Sequence, residues 1–192
     1  KFANATHEYL IEQVNYYQYK KLKASELNIE LNISHPVKYY IWTVQKQTDV
    51  TSYNLSNNYE SNLVYTLVNS KPVITINEDN PITTAALELN GVDRTKFHEG
   101  IYYNYLTSYE LNLNTPSDGI NFFSFSLLPK DIQPSGECNF SRLNRKNLKI
   151  NLDNTFLNRL VTTDFILTKF TYVNYNILIY ILDYYLFTFI GI

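Results

Sequence analysis

Leu27, Ile29, Leu31 and Ile33 alternate with Glu26, Asn28, Glu30, Asn32 and Ser34. The same period of two runs through Leu148, Ile150 and Leu152, set between Asn147, Lys149, Asn151 and Asp153. Tyr109, Leu111 and Leu113 alternate with Glu110, Asn112 and Asn114. Successive side chains on a strand point to opposite faces, so each stretch predicts a strand with one wet face. Val37–Val44 and Ile120–Leu128 are apolar at both parities. That predicts strands covered on both sides, by the chain's own layers or by a neighbouring subunit.

Turn residues separate these runs. Asn90-Gly91, Asp118-Gly119 and Ser135-Gly136 supply backbone that tolerates positive φ. Pro36, Pro72, Pro81 and Pro116 stand at run edges, where a missing N–H is tolerated. Helical periodicity is scarce, and only residues 154–160 suggest a short helix. Many short strands in one medium-sized unit predict an all-β fold: a sandwich, a barrel or a jelly roll. The stretch Ile177–Ile192 is almost wholly apolar, with Asp183 inside it. It is shorter than the about 20 residues a spanning helix needs, and a buried acid adds a cost. A final buried strand pair is the expectation there, and direct membrane contact is disfavoured.

Composition narrows the function classes. The chain has 192 residues, enough for one domain with a real core. Hydrophobic residues make up 45% and charged residues 18%, a globular balance. The 18 tyrosines and 11 phenylalanines suit strands and large contact surfaces, although codon bias can also raise tyrosine. The formal net charge is −2, so no charge excess points to a partner. Lys20-Lys21-Lys23 and Arg142-Arg145-Lys146-Lys149 read as solvated faces, not a nucleic-acid groove. With Cys138 as its single cysteine, the chain is no disulfide-stapled fold. The chain starts at Lys1 and has no methionine, which leads us to expect an internal or trimmed piece of a longer protein.

The inventory for catalysis is poor. His7, His35 and His98 are far apart and sit in no metal-spacing motif. His98 beside Glu99, near Asp93 and Arg94, is the nearest approach to a polar constellation. Following an Asn-Gly turn, it reads as an exposed loop or an intersubunit contact. No phosphate-binding loop or nucleophile elbow occurs, and Cys138 has no base nearby in sequence. No enzyme activity is expected, and no catalytic, cofactor-binding or metal-binding residue is assigned. Asn4, Asn32, Asn54 and Asn139 open formal glycosylation triplets, which arise by chance in an Asn-rich chain; Asn32 also lies on a predicted strand.

Several wordings carry a resemblance. Gln133-Pro134-Ser135-Gly136-Glu137-Cys138-Asn139-Phe140-Ser141-Arg142 follows the run Gly119–Leu127. Upstream stand Glu8–Val14, His35-Pro36-Val37-Lys38 with Ile41-Trp42, and Leu89-Asn90-Gly91-Val92-Asp93-Arg94. In this order they resemble the second jelly roll of the major capsid proteins of large nucleocytoplasmic DNA viruses. The landmarks run from about residue 3 to residue 178, where Val173–Leu178 resembles the last strand. Thr95, Thr107-Ser108-Tyr109 and the ending after Leu178 depart from the family pattern.

The resemblance implies an eight-stranded antiparallel jelly-roll sandwich, one half of a double jelly-roll coat protein. It implies residues 1–22 as the remnant of a linker and lead-in strand and 23–192 as the jelly-roll domain, with 179–192 the least certain part. It implies a structural role in a viral capsid, as homotrimeric, pseudo-hexameric capsomers tiling an icosahedral shell. Partners would be copies of itself, neighbouring capsomers and minor capsid proteins, with no nucleic acid. The place would be the virion, after assembly in host cytoplasm. The competing class is a carbohydrate-binding, lectin-like jelly roll, in which tyrosines or Trp42 would stack on sugars. Trp42 lies mid-strand in an apolar run, so we expect it in the core. Tyr102-Tyr103-Asn104-Tyr105 suits either an obligate interface or internal packing.

Overall fold

A computed structural model describes the backbone of residues 6–22, 24–46, 62–68, 71–77, 80–154 and 166–181. Strands dominate it, all paired antiparallel. The first sheet holds β1 (Thr6–Leu22), β3 (Pro36–Lys46), β9 (Ile120–Ser124), β10 (Cys138–Asn139) and β12 (Ile166–Ile181). β12 lies between β1 and β3, and β9 and β10 share the far edge of β3. The second sheet holds β2 (Glu26–Glu30), β6 (Ile82–Leu89), β7 (Val92–Asp93), β8 (His98–Glu99) and β11 (Lys146–Leu152). β11 lies between β2 and β6, and β7 and β8 continue along the other side of β6. β4 (Asn62–Val68) and β5 (Lys71–Asn77) form a separate hairpin, with Pro72 opposite Leu67.

One core joins the two sheets. Leu27, Ile29, Leu31 and Ile33 are all buried, as are Leu148, Ile150 and Leu152. They meet Val37, Tyr40, Trp42 and Val44 of the first sheet. The alternation read from sequence is therefore the inward face of β2 and β11. Each fully buried apolar side chain of this size contributes about 1.5–3 kcal/mol. Trp42 is central: its ring lies 5.2 Å from Tyr40 and 5.1 Å from Tyr103. β3 is covered on both faces along most of its length, as its doubly apolar run predicts.

Turn chemistry also follows the sequence. Leu89 pairs with Val92, so Asn90-Gly91 closes a two-residue hairpin. Both turn residues have positive φ, 55° at Asn90 and 80° at Gly91, the pattern that matches the twist of the flanking strands. β3 starts at Pro36, where the proline costs no ladder bond the strand needs.

Three local expectations are corrected. Tyr109, Leu111 and Leu113 are not a strand: Thr107–Glu110 is helical and residues 111–112 turn. The strand expected over Ile120–Leu128 stops at Ser124. There the Ser124 hydroxyl accepts from the Ser126 N–H at 3.0 Å and donates to the Ser126 carbonyl at 2.8 Å. That local bonding replaces ladder bonds and bends the chain. Asn32 lies just beyond β2, which ends at Glu30, and its side chain is exposed. The helix expected over 154–160 falls outside the described residues, Asn154 excepted. Of the apolar tail, residues 177–181 belong to β12 and the rest falls outside the described residues.

Candidate functional site

The residues that sequence reading singled out for chemistry do not converge. His98 stacks on Tyr102 with ring centroids 4.3 Å apart, beside the edge-on ring of Tyr103. This is a packing histidine on β8. Burial pushes the Cys138 thiol up, away from the reactive thiolate, while Arg94 pulls weakly the other way. Among the described residues no group of three His, Cys, Asp or Glu side chains could hold a metal ion. No helix among them is long and apolar enough to cross a membrane.

The Gln133–Arg142 stretch is a structural clasp. The Ser135 hydroxyl accepts from the Leu128 N–H at 2.9 Å and lies 2.5 Å from the Ser126 hydroxyl. Gly136 has φ 145°, and a Cβ there would sit 2.6 Å from the Phe125 carbonyl oxygen. Only glycine permits so close an approach. The stretch then re-enters the first sheet as β10, opposite Val37 and Pro36. Asn139 accepts from the Ser141 N–H at 3.1 Å and caps the turn Phe140–Arg142, so its triplet serves the backbone.

The segment before β9 was not foreseen. It is a π-turn, Tyr102–Leu106, running directly into the helix Thr107–Glu110. Its inner side is tied down. Tyr103 donates to the Ala85 carbonyl at 3.1 Å, and Asn104 donates to the carbonyls of Ser117 and Ile120 at 3.0 and 2.7 Å. Thr107 lies 3.0 Å from the carbonyls of both Tyr103 and Phe122. Thr95, where the family pattern has an aromatic, accepts from the Leu87 N–H at 2.9 Å and meets the Tyr103 hydroxyl at 3.2 Å. Burial pushes the Tyr103 hydroxyl up to about 12, and the Thr95 bond works against it. Tyr103 and Asn104 pack inside, while Tyr105 faces outward with Ile101, Leu106 and Tyr109.

A groove of about 390 Å³ lies over Tyr39, Ile41 and Phe122, walled by Pro116, Pro129 and Lys130. Glu12 of β1 closes one side. Further apolar side chains are exposed on β1, at Leu10, Ile11, Val14, Tyr16 and Tyr17. Others stand on the loop after β9, at Leu127, Leu128 and Ile132. The described residues thus expose large apolar side chains on β1, on the helical segment and on the loop after β9. Trp42, a possible sugar platform by composition, is fully enclosed.

Comparison with known proteins gives the family. Residues 1–189 match the sequence profile of the large eukaryotic DNA virus major capsid proteins. The chain belongs to this family. It is similar to the major capsid protein of Paramecium bursaria Chlorella virus 1, 31% identical over 78% of this chain and 38% of that protein. It is likewise 27% identical to the major capsid protein of Phaeocystis pouchetii virus, over 93% of this chain and 48% of that one. The chain therefore spans about half the length of that relative or less. Among solved structures, the PBCV-1 capsid matches with TM-score 0.68 at 24% identity, over 93% of this chain and 50% of that one. The Faustovirus major capsid protein matches with TM-score 0.70 at 16% identity, over 89% of this chain and 34% of that one. At such identities the likeness carries the fold, the antiparallel jelly roll of viral capsids.

Members of the major capsid protein family are structural proteins, not enzymes. The expected fold class and family hold. Sequence reading missed the helical conformation of the segment before β9 and the enclosure of Lys38 against Glu12.

Proposed function

We propose that the polypeptide containing this chain is a structural subunit of a viral capsid. The observation that carries the proposal is the family match across residues 1–189, on a fold that exposes several large apolar side chains. A rigid sandwich suits the role. Its two sheets share one core, so neither can slide without opening the other. Its edges and loops remain for contacts with neighbours.

The finer reading follows from the same family. Residues 23–192 form the second jelly roll, and 1–22 lead into it from a first. Three polypeptides form a pseudo-hexameric capsomer, and capsomers with minor capsid proteins tile an icosahedral shell. The subunit is located in the virion and assembles in host cytoplasm. The enclosed Trp42 removes the strongest sugar-stacking candidate of the lectin alternative.

Intact-mass and native mass spectrometry of the polypeptide from its source test this reading. The expected product is about twice this chain's length, as the coverage of its relatives implies, and runs as a trimer. A stable monomer at all concentrations would sink the shell-building role.

A further inference from the structure

We propose that the Lys38 ammonium is a latch through which β1 fixes the position of the loop after β9, so that the seating of β1 sets whether the loop's apolar side chains stand in one place. The latch is a property of this fold and stands apart from the capsid-subunit reading. The loop covers residues 125–137, between β9 and β10. It exposes Leu127, Leu128 and Ile132. Bonds inside it give it shape. The Leu128 N–H donates to the Ser135 hydroxyl at 2.9 Å, and the Asp131 N–H donates to the Leu128 carbonyl at 3.2 Å. Such bonds travel with the loop and do not place it.

Three hydrogen bonds join the loop to parts of the fold beyond its flanking strands, and Lys38 makes two of them. The Lys38 carbonyl accepts from the Phe125 N–H at 2.9 Å, and its ammonium donates to the Asp131 carbonyl at 2.9 Å. The third runs from the exposed Lys130 ammonium to the Asn112 carbonyl at 2.6 Å. An enclosed ammonium needs a counter-charge to remain enclosed. Glu12 of β1 supplies one. Pro129 and Lys130 of the loop line the same groove as Glu12. β1 stands at the edge of its sheet, with β12 as its neighbour there. An edge element opens at lower cost than the middle of a sheet. When β1 lifts, the carboxylate leaves with it. The lysine stem is flexible, so the ammonium then turns to water and gives up the Asp131 carbonyl. The loop keeps its shape and loses its place. A loop already held in place loses less freedom when its apolar side chains are covered, so a seated β1 prepares Leu127, Leu128 and Ile132 for contact.

Hydrogen exchange of the full polypeptide, read by mass spectrometry, tests the latch. Glu12→Gln removes the charge and keeps the shape of the side chain. Exchange across residues 125–132 should quicken about tenfold or more, while residues 146–152 in the second sheet keep their natural rate. Unchanged exchange in the loop, or equal quickening in both segments, would overturn the latch. A second variant, Lys38→Met with Glu12→Ala, removes the enclosed ammonium together with its bond to Asp131. Its loop should exchange as fast as that of Glu12→Gln, even as the melting midpoint recovers. Loop exchange at the natural rate in that stable protein would show that Asp131 needs no ammonium, and would overturn the latch independently of any loss of stability.

Discussion

Lys38 on β3 donates its ammonium to Glu12 on β1, across 26 positions of sequence. The lysine is 1% exposed and the glutamate 38%. A second bond runs from Lys38 to the Asp131 carbonyl at 2.9 Å. The register of β3 against β12 slips here, with Val173 opposite Tyr39 and Asn174 opposite Val37, while the Lys38 carbonyl accepts from the Phe125 N–H at 2.9 Å. One ammonium thus ties the edge strand and the loop after β9 to the middle of the sheet.

Removing one partner of an enclosed ion pair costs far more than removing both. Glu12→Ala leaves the Lys38 ammonium enclosed, and the loss should reach about 1–3 kcal/mol, since water reaches part of the site. The pair Lys38→Met with Glu12→Ala should recover most of that loss relative to Glu12→Ala alone. Urea denaturation of the four proteins in a double-mutant cycle measures it. Equal destabilisation by the single and double changes would show that the pair contributes nothing specific.

Close backbone approach separates the glycines. A Cβ at Gly100 would lie 2.0 Å from the Ile82 carbonyl oxygen, so Gly100→Ala must push β6 from the start of the helical segment. We expect a loss of about 2–4 kcal/mol, comparable with severe overpacking. At Gly91 nothing lies within 4 Å of the added atom, and only its φ of 80° is unfavourable. Gly91→Ala should cost about 1–2 kcal/mol. Thermal melts of both variants decide the order, and a reversed order would contradict the packing at Ile82.

Two enclosed phenols predict alkaline sensitivity. Burial holds the hydroxyl of Tyr40 well above the usual tyrosine range and that of Tyr103 at about 12. Their folded-state values exceed the unfolded one, so the unfolded chain releases these protons first as pH rises. The stability tied to them is complete below about pH 10 and is lost as pH climbs toward 12. Tyr103→Phe should cost about 1 kcal/mol at neutral pH through its lost bond to Ala85. It should also flatten part of the alkaline decline. Denaturant midpoints at neutral and alkaline pH test this, and parallel declines in both proteins would remove Tyr103 as a cause.

On the outer side of the second sheet, Lys149 bridges Glu88 and Asp93 at 2.7 Å each. Its hydrogen bond holds the Glu88 carboxyl below the usual range, and the two acids hold the Lys149 ammonium above its own. The Glu88 contribution is present above the unfolded carboxylate value and fades as pH falls through the lower folded one. The Lys149 contribution fades as pH rises through its raised value. The melting difference between the natural chain and Lys149→Met should therefore be widest near neutral pH. It should close as pH falls below about 4, begin to close only above about pH 10.4, and shrink in high salt. A salt-independent difference would point to lost stem packing instead.

The strands were legible wherever burial follows parity. Leu27, Ile29, Leu148 and Ile150 show it because water selects one face and the core the other. The segment Tyr102–Glu110 was illegible for the converse reason. Its inner side uses Asn104, Thr107 and Ser108, polar groups whose partners are distant carbonyls, while its outer side is apolar. Hydrophobic periodicity then points the wrong way, and Tyr109, Leu111 and Leu113 imitate a strand. The landmark turns, by contrast, carried the family because their glycines answer to backbone geometry. Lys38 hid inside an apolar run because its partner is set by sheet order, which local pattern does not contain.

That sheet order fixes a sequence of events during synthesis. β12 stands between β1 and β3, and the register joins Thr6 to Ile181 and Thr43 to Lys169. β1 must therefore wait for β12 before it gains that partner. Until then its apolar residues are open to the crowded cell, and closure spans nearly the whole chain, a slow step for any polypeptide. A ribosome stalled before β12 would hold an unfinished sheet with two waiting edges.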